Sequence, residues 1–188
     1  MTVTDESREH VFGTLYDAHF DAVLGYALRR TARPEDAADI VSETFLVAWR
    51  RLQHVPRDAA QLPWLYGVAR RVLANQRRGD QRRHRLGARL RRDLAAVVPD
   101  ISERVAFDQT VVAAMARLSA RDEEVLALHL WEGLEAREIA EVLGQPATVV
   151  RPRLSRARAR LREVLGNDRP FAGHPPDTQP IPILKEER

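Results

Sequence analysis

The chain has no cysteine and a single lysine, Lys185, among its 188 residues. The missing thiols exclude a disulfide framework and any thiolate metal site. No apolar run approaches the about 20 residues that a membrane-crossing helix needs. The opening "MTVTDESREH" is polar and acidic, unlike a secretion signal. Catalytic signatures are missing as well. Six histidines, at 10, 19, 54, 84, 129 and 174, are scattered without an H-E-x-x-H pair, and there is neither a glycine-rich phosphate loop nor a G-x-S-x-G turn. Alternating apolar and polar positions of convincing length are absent, so no sheet is expected. These gaps leave a cytoplasmic helical protein that binds rather than catalyses, with no metal or cofactor expected.

What is present is arginine, 29 of them, unevenly placed. Residues 1–60 carry a net charge of −3, 61–100 of +7, 101–145 of −5, 146–165 of +5 and 166–188 of −1. The chain alternates acid and base, so two separate cationic segments each follow an acidic one. That pattern predicts two nucleic-acid contacts on two modules.

Apolar spacing is helical almost throughout. A first helix is expected over 8–31. "RPED" restarts one, because Pro34 suits the first helical position and the two acids suit a helix N-terminus. A third helix, from "LPWLYGVARRVLANQRR", turns basic toward its end. After an arginine-rich stretch, Ser119 with Asp122 three residues on reads as a capped start, and "EAREIAEVLG" as a short helix closed by Gly144. The expected architecture is all-α. Two small helical domains, 8–79 and 102–165, are joined by a flexible linker at 80–101. A tail at 166–188, with five prolines between 170 and 182, is expected to be disordered.

Three constellations stand out. In 135–165 a short helix, a tight "QPA" turn and a longer basic helix follow one another, the grammar of a helix-turn-helix. Val150, Leu154, Ala157, Leu161 and Val164 form its docking stripe. Arg153, Arg156 and Arg160 line one flank, and Arg151, Arg158 and Arg162 another. Arginine can fork onto guanine edges or bind phosphate. In 36–49, Asp36, Asp39 and Glu43 make one acidic face, suited to a basic partner surface. In 64–78, Trp64 and Tyr66 stand beside Arg70, Arg71, Asn75, Arg77 and Arg78. Rings that stack on bases and cations that track phosphate suit single-stranded DNA, although both rings also suit a helical core.

Pro152 interrupts the basic helix. If Thr148 caps that helix, Pro152 is its fourth residue and loosens the first turn, re-aiming Arg151. If Arg151 is the cap, Pro152 takes the favoured first position, but the turn from Gly144 then becomes long.

With these motifs the chain resembles the extracytoplasmic-function (ECF) sigma factors of the sigma-70 family. "DAADIVSETFLVAWRRL" is similar to the family's core-binding helix and "WLYGVARRVLANQRR" to its W-L-Y-x-[IV]-A-R segment. "GLEAREIAEVLG" with "VRPRLSRARARLR" is similar to its C-terminal helix-turn-helix, although Pro152 stands where relatives usually have serine. The resemblance spans about 12–165. It implies that the N-terminal module is a region 2 that binds the clamp of core RNA polymerase and melts the −10 element. The C-terminal module is then a region 4 that reads the −35 element. It further implies that Asp36, Asp39 and Glu43 face the polymerase, that Arg70, Arg71, Asn75, Arg77 and Arg78 approach the −10 strand, and that Thr148, Arg151, Arg153, Arg156 and Arg158 meet the −35 duplex. Many relatives are silenced by an anti-sigma factor. Two other readings compete: a stand-alone helix-turn-helix regulator, and more distantly a metal-dependent hydrolase built on the acidic trio.

Overall fold

The computed structural model describes residues 5–87 and 109–166, which hold seven α-helices and no strand. Helix α1 spans Asp5–Leu28. It stops three residues short of the expected 31, and Arg33, held away from helical geometry by Pro34, is extended at φ −122, ψ 141. Pro34 then opens α2, Pro34–Arg50, with Glu35 and Asp36 in its first turn as expected. A 3-10 turn at Leu52–His54 closes that arm.

The buried face of α2 is Ala37, Ile40, Val41, Thr44, Phe45 and Ala48. Thr44 is fully enclosed and donates its hydroxyl to the Ile40 carbonyl at 2.6 Å, which satisfies the only polar atom on that face. On α1, Leu15, Val23, Tyr26 and Ala27 are buried. Phe12, Tyr16 and Phe20 only half-close. With Phe45 and Trp49 they line an open apolar groove of about 590 Å³ between α1 and α2.

Helix α3 runs Gln61–Gly87, so its last eight residues extend into the stretch expected to be linker from 80. The remaining expected linker, 88–101, the start of the second module at 102–108 and the tail from 167 lie outside the described residues.

The second module contains α4 (Gln109–Met115), α5 (Ala120–Leu130), α6 (Ala136–Leu143) and α7 (Ala147–Leu165). Ser119 caps α5 by accepting the Asp122 N–H at 3.2 Å. Glu135 and Glu138 form a reciprocal capping box on α6. Gly144, at φ 62, ends α6, and the Gln145 N–H reaches back to the Ala140 carbonyl at 2.9 Å. Three residues, 144–146, therefore separate α6 from α7, the spacing of a helix-turn-helix. The docking stripe of α7 is buried at Val150, Leu154, Ala157 and Leu161. Each Val or Leu of that stripe removed from water contributes about 1.5–3 kcal/mol.

The start of α7 differs from expectation. Its N-cap is Pro146, not Thr148, and the carbonyl of Pro146 accepts both the Val149 and Val150 N–H at 2.9 and 3.2 Å. Pro152 is thus the sixth helical residue rather than the fourth, inside a helix that continues unbroken to Leu165. The fixed φ of Pro146 already suits a helix entrance, so Thr148 is not needed there.

The two modules share one apolar core instead of standing apart. Helix α3 lies against α6 at Gly67, where an added Cβ would sit 3.6–3.7 Å from the Val142 backbone.

Candidate nucleic-acid interface

On the first module, α2 and α3 enclose a groove of about 950 Å³. Asp39 and Glu43 stand exposed on the α2 wall, and Arg71 and Asn75 exposed on the α3 wall. The fold therefore gathers residues from two separate sequence motifs, one acidic and one basic, around a single opening. Asp36 belongs to the same acidic face but is already engaged. Arg33 donates to it at 2.8 and 3.2 Å, and this hydrogen bond holds its carboxyl below the ordinary aspartate value.

The basic residues of α3 divide. The guanidinium of Arg71 donates to the Gly67 carbonyl at 2.9 Å, which fixes its base while its side chain stays exposed. Arg78 donates to the Asn75 amide oxygen, and Arg77 to the Arg30 carbonyl at 3.0 Å. Arg70 faces away from the groove and pairs with Glu124 of α5 at 2.6 and 3.3 Å. That hydrogen bond raises the arginine's proton affinity further. Of the two rings, Tyr66 is unavailable for base stacking. It is only 3% exposed and stacks on Tyr26 with centroids 5.1 Å apart. Burial pushes both phenols above the ordinary tyrosine value, so each stays neutral. Trp64, half-buried, packs on the core and borders the groove.

On the second module, Arg151, Arg158 and Arg162 surround an open cleft with Ala136 of α6 and with Leu154 and Ser155. Thr148 and Arg156 are exposed. Arg153 does not join them. It points to Asp122 at 3.5 Å, and Arg160 reaches the other oxygen of the same carboxylate at 2.5 Å. Arg162 is the member that the sequence-based set leaves out. Its spacing of eleven from Arg151 and four from Arg158 was the signal, since three helical turns return a residue to the same face. Asp122, Glu124 and Glu132 were also missed, because their roles depend on partners distant in sequence.

An exposed arginine flank on the second helix of a helix-turn-helix, together with the exposed cations of α3, suits a DNA-binding protein. Comparison with known proteins specifies it. The Sigma-70 region 2 family matches residues 15–83, and the family described as Sigma-70, region 4, matches residues 108–161. The chain is 32% identical over 168 residues to the RNA polymerase sigma factor NccH of Alcaligenes xylosoxydans xylosoxydans, covering 85% of this chain and 89% of that one. It is 31% identical over 153 residues to the ECF RNA polymerase sigma factor SigL of Mycobacterium tuberculosis, covering 80% and 86%. Its fold matches that of the sigma factor RpoE of Bartonella quintana, solved with the anti-sigma factor NepR, at a TM-score of 0.63 and 24% identity over 84% of this chain and 98% of that one. It also matches CnrH, solved with the cytosolic domain of CnrY, at 0.55 and 24% over 84% and 89%. The chain belongs to the sigma-70 family and is an RNA polymerase sigma factor of the ECF type. This favours the polymerase-directing role over a stand-alone regulator.

Proposed function

We propose that the α2–α3 groove is where this sigma factor meets both core RNA polymerase and the −10 strand. The observation that carries the reading is the pairing of walls: Asp39 and Glu43 opposite Arg71 and Asn75 around one opening. An acidic wall complements a basic clamp surface, and exposed cations beside it track the single strand that melting releases. Arg77 and Arg78 extend the cationic wall along α3. Arg70 joins it once its bond to Glu124 is released. Asp36 supports the acidic wall through Arg33.

The −35 contact falls to α7, with Arg151, Arg158 and Arg162 toward the groove, Thr148 at the helix entrance and Arg156 at the margin. Arg153 contributes through Asp122 rather than through DNA. On this reading the domains are a region 2 module and a region 4 module, the protein acts in the cytoplasm beside polymerase, and it performs no chemistry of its own. An anti-sigma partner belongs to the same reading. Both solved relatives carry one, and the aromatic groove between α1 and α2 offers an apolar face for it.

The test is association with core polymerase. Asp39→Arg reverses an exposed charge and leaves the buried face of α2 intact. It abolishes capture of core polymerase while the helical circular dichroism is unchanged. A folded Asp39→Arg chain that still binds core polymerase normally removes the acidic wall from the interface.

A further inference from the structure

Asp122 is a charged residue only 4% exposed. Asp122 sits at the third position of α5, and its two oxygens hold Arg153 and Arg160 of α7. These two arginines are seven residues apart on one flank of α7. Arg151, Arg158 and Arg162 occupy the other flank, around the open cleft. One buried carboxylate therefore divides the arginines of the helix into a held set and a free set. We propose that Asp122 is a positioning residue that determines DNA specificity, fixing the roll of α7 and withholding Arg153 and Arg160 from phosphate. This rests on the reading of α7 as the −35 recognition helix.

The physical reason is counterion release. An arginine paired with a carboxylate brings little net charge to the duplex, whereas a released one adds a phosphate contact and steepens the salt dependence by about 0.9 per contact. Phosphate contacts carry no sequence information, so the released pair strengthens binding to a random duplex, while the freed roll of α7 costs the −35 duplex its base contacts and narrows the difference between the two.

The experiment measures binding of the full chain to a −35 duplex and to a random duplex across a salt series. Asp122→Asn keeps the side-chain shape and the backbone N–H that Ser119 caps. It steepens the log–log slope by about 1–2 units and lowers the specific-to-random affinity ratio by about tenfold. Arg153→Gln with Arg160→Gln leaves the slope unchanged in the parent chain and restores it in the Asp122→Asn background, which a merely structural role for Asp122 would not produce. An unchanged slope in folded Asp122→Asn overturns the proposal, as does a flattened slope in the double arginine variant of the parent chain. A parent chain with no salt-dependent duplex binding overturns the recognition-helix reading itself.

Discussion

Replacing Pro152 by serine isolates the cost of a proline inside the recognition helix. Pro152 is the sixth of nineteen residues in α7 and is exposed, so its ring contributes no core contact. Its missing N–H would have bonded the Thr148 carbonyl, and its ring crowds that same carbonyl. Proline costs about 3 kcal/mol relative to alanine in a helix interior, and serine about 0.5. The difference of about 2.5 kcal/mol is an upper value, since α7 accommodates the ring without a break. Pro152→Ser therefore stabilises the protein by about 2 kcal/mol. Urea unfolding of the full chain reads this as a raised midpoint with an unchanged slope. Arg151 precedes the proline and is relieved of its restriction by the same change, so on the proposed −35 role of α7 promoter selection shifts while random-duplex affinity stays level. A serine variant of equal or lower stability would mean that the proline is well placed, and the penalty argument would then be wrong.

Two further outcomes follow from the geometry. Arg158→Gln flattens the salt dependence of duplex binding by about one unit, because one phosphate contact is lost, and an unchanged slope removes Arg158 from that set. Asp36 titrates below the ordinary aspartate value of 3.8 because Arg33 hydrogen-bonds its charged form. Its stabilising contribution is complete above that value and is lost as pH falls through the folded one. Arg33→Ala returns the carboxyl toward 3.8, as followed by NMR titration, and no movement contradicts the assignment.

Local signals were readable in the sequence wherever a short-range rule decides the backbone. Pro34 at a helix start, Ser119 as a cap, Gly144 as a stop and the α7 stripe all lie where their chemistry dictates. Glu135 and Glu138 obey the same logic, although the box uses a glutamate cap in place of the usual serine or threonine. The charge pairs were not readable. Arg29 meets Glu132 across 103 positions, Arg70 meets Glu124 across 54, and Arg160 meets Asp122 across 38. A charged residue shows nothing in sequence of the partner that tertiary packing brings to it. For that reason Arg70 and Arg153 read as free DNA contacts, whereas the fold engages both. The Pro152 position was misjudged by two residues because a threonine near a helix start signals a cap, while Pro146 supplies the same entrance by geometry.

On the proposed function, the α2–α3 groove and α7 act together to bring core polymerase to promoters. Run-off transcription with purified core polymerase over a genomic promoter library tests it most directly. The expected result is a set of transcripts that requires this chain, starts at fixed sites and disappears with Asp39→Arg. Transcripts that persist with Asp39→Arg, or a chain that binds duplex DNA as a dimer and adds no start sites, would contradict it.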